Sequence, residues 1–274
     1  MARRVRLIAW SVVLALAIFQ AWAQRYAVGP DGISYLDISD AVTNGRLGRL
    51  LNPYWSPLYP ALIGVARLVG GAGPEHEVPI VHLVNLLAFA GMAAAFEYSL
   101  TSILELACVT RDSVLRGPWG LAGVYGLFAS FAITMLPLEL TTPDVLCAAA
   151  VFATFGAMLR LHRGGPHATR SAIALGAALG AGALAKSFLV PWALVCFATL
   201  AAAMWKRGSG GRRQWGIALA IWCAIVVPWT VVLSRATGRI TFGDAGRLTY
   251  AWYVNGANPP SLGGVPDGAR TARI

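Results

Sequence analysis

Three acidic residues stand beside long apolar runs. Asp31 lies between Pro30 and Gly32, and Glu139 and Asp144 bracket Leu140-Thr141-Thr142-Pro143. Charge at the border of a membrane-sized apolar run is costly and is a functional candidate by default. A carboxylate in such a dry rim can act as general base toward a hydroxyl. Lys186 is the one charge within residues 171–205. It could hold a phosphate as a point charge or simply snorkel to the membrane surface. Arg235, Arg239 and Arg247 follow the last apolar run.

Each residue also has a plain structural reading. Asp31 suits a turn or a helix cap. Asp144 follows Thr142-Pro143, which reads as N-cap and N1, and an acid at N2 is favoured by the helix dipole. Asp37 and Asp40 read as a solvated helix face. Glu75-His76-Glu77 could suggest a metal, but a solvated turn suits it better. His82 and Asn85 are three apart and fit hydrogen bonds inside a bundle.

The elements that position these residues follow from composition. Of 274 residues, 57% are hydrophobic and 12% charged, with mean hydropathy +0.61. Soluble domains carry roughly 25% charged residues, so an ordinary soluble enzyme, a disordered chain and a disulfide scaffold are excluded. The cysteines (Cys108, Cys147, Cys196, Cys223) form no CxxC pair, which gives no sign of zinc. A helix needs about 20 apolar residues to cross a bilayer. The sequence predicts spans near 7–23, 79–96, 119–138, 145–159, 171–185, 187–205 and 214–234. The first follows a basic start but has Trp22 where a signal-peptide cleavage site needs small residues, so it reads as uncleaved.

Residues 171–205 are too long for one span, and charge placement divides them at Lys186. Twelve of 22 cations (Arg3, Arg4, Arg6, Arg111, Arg116, Arg160, Arg163, Arg170, Lys206, Arg207, Arg212, Arg213) then fall inside, as the positive-inside rule requires. Nine of 12 acids (Asp31, Asp37, Asp40, Glu75, Glu77, Glu139, Asp144, Asp244, Asp267) fall outside. The net charge of +10 is thus topology signal and lipid contact; nucleic acid is not a partner. The expectation is an all-α polytopic membrane protein of about seven transmembrane helices. It would lie in the cytoplasmic (inner) membrane with its N-terminus cytoplasmic.

Residues 24–78 form a long outer loop, and it is not structureless. Leu36, Ser39 and Val42 recur at helical spacing after the turn Gly29-Pro30-Asp31-Gly32. Ser56-Pro57 reads as N-cap and N1, with Leu58, Leu62, Val65 and Leu68/Val69 on one face. Tyr54, Trp55 and Tyr59 suit the headgroup level. Two short interfacial helices are predicted. Ala172, Gly176 and Gly180 form a small-residue packing face.

These segments resemble the GT-C glycosyltransferases, in particular relatives of the protein O-mannosyltransferases and the lipid A aminoarabinose transferases. The resemblance is carried by Asp31 with Ser34-Tyr35-Leu36-Asp37-Ile38, then Tyr54-Trp55-Ser56-Pro57-Leu58-Tyr59-Pro60. It continues through Leu140-Thr141-Thr142-Pro143-Asp144-Val145-Leu146, Ala183-Leu184-Ala185-Lys186-Ser187, and Thr241 to Gly256. It covers nearly the whole chain, through combination rather than one specific motif. It implies transfer of a sugar from a polyprenyl-phosphate donor to an acceptor hydroxyl outside the membrane, with inversion. The acceptor (glycan, lipid or protein) stays open, as does a divalent metal. By motif position Asp31 is the catalytic acid, Asp144 or Glu139 an orienting acid, and Lys186 and Arg247 bind the donor phosphate. Gly32 stands where several relatives have a second acid. Relatives also continue through further spans, so 1–234 reads as the shared module and 235–274 as an outer, truncated tail.

Two rivals remain. A transporter or lipid flippase would show mid-span charges or repeated halves, and Pro191 and Pro228 alone do not supply them. A seven-span receptor or non-catalytic assembly subunit would need no acids gathered at one outer loop.

Overall fold

The computed structural model describes residues 2–71, 73–106, 110, 113–207 and 211–256. Cys108 and the tail from Ser261 lie outside these residues. The described residues form ten α-helices and no strand: α1 (Ala2–Ala23), α2 (Pro30–Thr43), α3 (Leu58–Gly70), α4 (Glu77–Leu104), α5 (Pro118–Thr134), α6 (Asp144–Arg163), α7 (Ala168–Ala185), α8 (Leu189–Arg207), α9 (Arg212–Thr237) and α10 (Ala245–Tyr253). Within α1, α4, α6, α7 and α9 there is enough apolar length to cross a membrane. This is the architecture of a multi-pass membrane protein. The apolar helices α5 and α8 are shorter by the same measure; the 17 residues of α5 reach about 26 Å against a hydrocarbon core of ~30 Å.

Packing contacts set the direction of each long helix. Arg6 on α1 pairs with Glu97 near the end of α4 at 2.9 Å, while Ala27, just after α1, meets His82 near the start of α4. The two helices are therefore antiparallel. The Tyr125 hydroxyl of α5 donates to the same Glu97. Parallel to α4 runs α6: Asn85 meets Leu138 and Leu140 just before α6, and Ser99 donates to the Phe152 carbonyl. Gly176 and Gly180 on α7 abut Ala218, Ile221 and Ile225 on α9 in the same order, so these two are also parallel. A Cβ on either glycine would strike the partner helix, and the predicted small-residue face is this contact. Asp31, Asp144, Lys186 and α10 thus collect at one end of the bundle. Arg6, Glu97, Arg160 and Arg212 collect at the other.

The long apolar stretch does divide at Lys186. The last turn of α7 closes with the Lys186 amide donating to the Gly182 carbonyl, Lys186 is extended, and α8 starts at Leu189. Residues 24–78 carry two helices, α2 and α3, as expected, but their starts differ. Pro30 begins α2 with Gly29 before it, so Gly29-Pro30-Asp31-Gly32 is a helix entry rather than a turn. Pro57 caps α3, without a side-chain cap; Ser56 is left outside the helix. Tyr59 is fully buried and its hydroxyl donates to Asn85 Oδ1 at 2.6 Å, so it does not sit among headgroups. Asp40 keeps a half-exposed side chain, as a solvated face would, and is also paired with Arg67 at 2.8 Å.

Candidate functional site

Asp31 lies in the first turn of α2, where the positive end of the helix dipole favours an acid. Gly32 lets this turn press on the link before α6, since a Cβ there would stand 2.7 Å from the Thr141 Cβ. The same link is clamped from below. Asn85 Nδ2 donates to the Leu138 and Leu140 carbonyls at 3.1 Å, and His82 Nδ1 lies 3.0 Å from the Leu138 oxygen. His82 and Asn85 are the internal hydrogen-bonding pair their spacing predicts.

Asp144 opens α6, one position earlier in the helix than the sequence suggests, with Pro143 before it. Thr142 Oγ1 donates to Asp144 Oδ2 at 2.9 Å, and Lys186 Nζ donates to Oδ1 at 2.6 Å. Lys186 therefore binds a carboxylate in this structure.

These residues share one polar cavity of about 220 Å³. Asp31, Thr142, Pro143, Asp144, Ala185, Lys186 and Ser187 line one part of it, Tyr35, Tyr54, Trp55 and Ser56 a second, Ala245 and Thr249 of α10 the rest. The Asn52 carboxamide oxygen accepts the Tyr54 and Trp55 amides at 2.8 and 2.9 Å, a turn that presents both rings. Tyr35 packs edge-on to Trp55 and Tyr59, with centroids 4.7 and 5.0 Å away. Burial, then the Asp31 and Asp144 carboxylates beside it, push the Tyr35 phenol far above its ordinary range. Burial and Asp31 raise Tyr54 as well, while Lys186 pulls the other way. Both phenols are held in their protonated form.

The α10 wall is fixed by the turn before it. The Asp244 amide donates to the Pro53 carbonyl at 2.6 Å. Its carboxylate accepts Thr241 Oγ1 at 3.1 Å and pairs with Arg239. Gly243 has φ +146°, and a Cβ there would stand 2.7 Å from the Ser187 Cβ; only glycine suits both demands.

Of the residues singled out from sequence, the cavity brings together Asp31, Asp144 and Lys186. Glu139 and Arg247 do not line it. Arg247 is exposed on the far face of α10, in a second hollow with Gly246, Tyr250, Ala251 and Asn255. Glu75 contacts His76 at 3.1 Å, while Glu77 pairs with Arg67. No group of three metal-binding side chains occurs among the described residues.

An apolar groove of about 800 Å³ runs alongside, between α3, α4, α6 and α7. Leu58, Leu62, Val65 and Val69 form one bank and Leu146, Ala149, Ala150 and Ala153 the other. Its upper end, at Leu58 and Leu146, stands two residues from Ser56 and Asp144 of the polar cavity. In comparisons with family models, curated proteins and solved structures, nothing matched the chain.

Proposed function

We propose that this chain is an integral-membrane glycosyltransferase of the GT-C kind, moving a sugar from a polyprenyl-phosphate donor to a hydroxyl on the extracytoplasmic side. The observation that carries the reading is the cavity shared by Asp31, Asp144 and Lys186. The adjoining apolar groove supports it, since a lipid-linked donor needs a polar site for its head next to an apolar path for its chain. The alternating helix directions are consistent with seven crossings, α5 and α8 among them, and the cations counted on the N-terminal side favour a cytoplasmic N-terminus.

The chemistry follows from the leaving group. A lipid phosphate is stable as an anion, so it needs charge neutralisation more than a proton. Lys186 supplies that charge by exchanging Asp144 for the phosphate oxygens. The acceptor hydroxyl has a high pKa, and its proton passes to the Asp31 carboxylate. The acceptor oxygen bonds to the anomeric carbon as the carbon–oxygen bond to phosphate breaks, which inverts that centre. Asp144, held by Thr142, orients the acceptor. Glu139 and Arg247 take no part in this scheme.

General base assistance contributes typically ~10²–10⁴ in rate. An Asp31→Asn variant keeps the shape and loses the base. In membrane vesicles supplied with polyprenyl-phosphate sugar, turnover is expected to fall at least about a hundredfold while expression and donor binding persist. Near-normal turnover would make Asp31 a helix-entry residue and remove the catalytic reading.

A further inference from the structure

The helix that walls the polar cavity has a second face. At 3.6 residues per turn, Ala245, Thr249 and Trp252 share the side toward the cavity and toward Tyr54, whose ring centroid is 5.8 Å from that of Trp252. Gly246, Arg247, Tyr250, Tyr253 and Val254 share the other side. That side is open: Tyr253 is 84% and Val254 63% exposed. In the turn leading to it, Ile240 is 95% exposed, and Phe242 is exposed as well.

Along the chain this open face follows an exposed apolar face of a candidate membrane span. Val227, Val231 and Arg235 recur every four residues along α9 and are exposed, and α9 is long and apolar enough to cross a membrane. Three residues past the end of α9 the chain shows Ile240, then Phe242, then the tyrosines of α10. Tyrosine is enriched where membrane meets water, because its ring and hydroxyl prefer different media. The charge on this side is of one sign. Between Gly238 and Gly256 the sole acid is Asp244, which is only 8% exposed and held by Thr241 and Arg239. Arg235 and Arg247 remain outward.

We propose that the outward face of α10, with Ile240 and Phe242 before it, lies in the headgroup layer of an anionic bilayer, so that one wall of the polar cavity is seated on lipid. The acyl segments next to the glycerol take Ile240 and Phe242, the tyrosine hydroxyls reach the glycerol and phosphate level, and Arg235 and Arg247 meet phosphate charge. This arrangement stands whether or not the cavity is catalytic.

The test uses the full chain with its four cysteines replaced, reconstituted in phosphatidylcholine–phosphatidylglycerol nanodiscs. A nitroxide is placed through Tyr250→Cys or Tyr253→Cys, with Phe19→Cys on α1 as the lipid reference and Arg46→Cys in the outer loop as the water reference. Collision with oxygen against a nickel chelate should place both α10 labels between the references. Pure phosphatidylcholine should shift them toward water, and adding Arg247→Gln should remove much of that response. Values equal to Arg46→Cys in every lipid would overturn the proposal. So would protection from both reagents, which would mean that a second copy or another part of the chain covers the face. A photoreactive residue in place of Tyr253, in the native cysteine background, gives an independent readout. A phospholipid adduct is expected, and adducts to protein alone would overturn the inference.

Discussion

Two charged clusters occupy the same end of the bundle and are built differently. Arg67 on α3 is only 10% exposed and is shared among Ser39 and Asp40 of α2 and Glu77 of α4. Two of these bonds tie α3 to α2 and the third ties it to α4, and the cation has little freedom left. Lys186 makes one bond, to Asp144, and the two side chains are 42% and 38% exposed. The first cluster is a tie between helices. The second is a pair with spare capacity facing a cavity. A buried cation with several fixed partners builds the rim, whereas a half-exposed pair can trade partners at little cost.

This contrast sets three expectations. The largest concerns Arg67→Met, which removes the tie while keeping the aliphatic stem. Loss of a donor shared by three oxygens is expected to cost about 2–3 kcal/mol, read as a lower unfolding midpoint in detergent. A midpoint unchanged from the parent would erase the distinction between the clusters. Next is Lys186→Met, where stability should move by less than ~1 kcal/mol while the apparent affinity for polyprenyl-phosphate sugar weakens. Unchanged donor affinity would return Lys186 to plain snorkelling. The smallest is Asp37→Asn, on the exposed side of α2, expected to lie within about 0.5 kcal/mol with unaltered turnover. A larger loss would show that the acidic face of α2 has a role beyond the first turn.

Much of the helical plan is legible locally. Lys186 divides an apolar stretch too long for one span, and the chain turns there. The small residues at 172, 176 and 180 announce a close helix contact because their spacing repeats on one face. Helix entries are less legible: Pro30 and Pro57 each mark a boundary, but α2 starts at Pro30 after Gly29, whereas α3 starts only after Pro57 and leaves Ser56 outside. The carboxylate–lysine cavity was visible in part, as Asp31, Asp144 and Lys186 all stand at ends of apolar runs. Its aromatic side was seen only as interfacial decoration. Tyr35, Tyr54 and Trp55 become cavity walls through the Asn52 turn and through contacts with distant residues. The α10 wall depends on the Asp244 amide reaching Pro53, a pairing with no local signal. Arg247 shows the same limit: two residues after Ala245, it lies on the opposite side of a helix whose phase the sequence does not display.

The glycine contact between α7 and α9 has a mechanical consequence. Gly176 lies against the Ala218 carbonyl and the Ile221 side chain, and Gly180 against the Ile225 side chain, so α7 itself puts no side chain into the contact and the two helices are coupled there. One carries Lys186 at its C-terminal tip; the other ends in the segment that delivers Thr249. The separation of those two tips is therefore set by a contact several turns down the helices, as a rigid fork sets the distance between its prongs at the root.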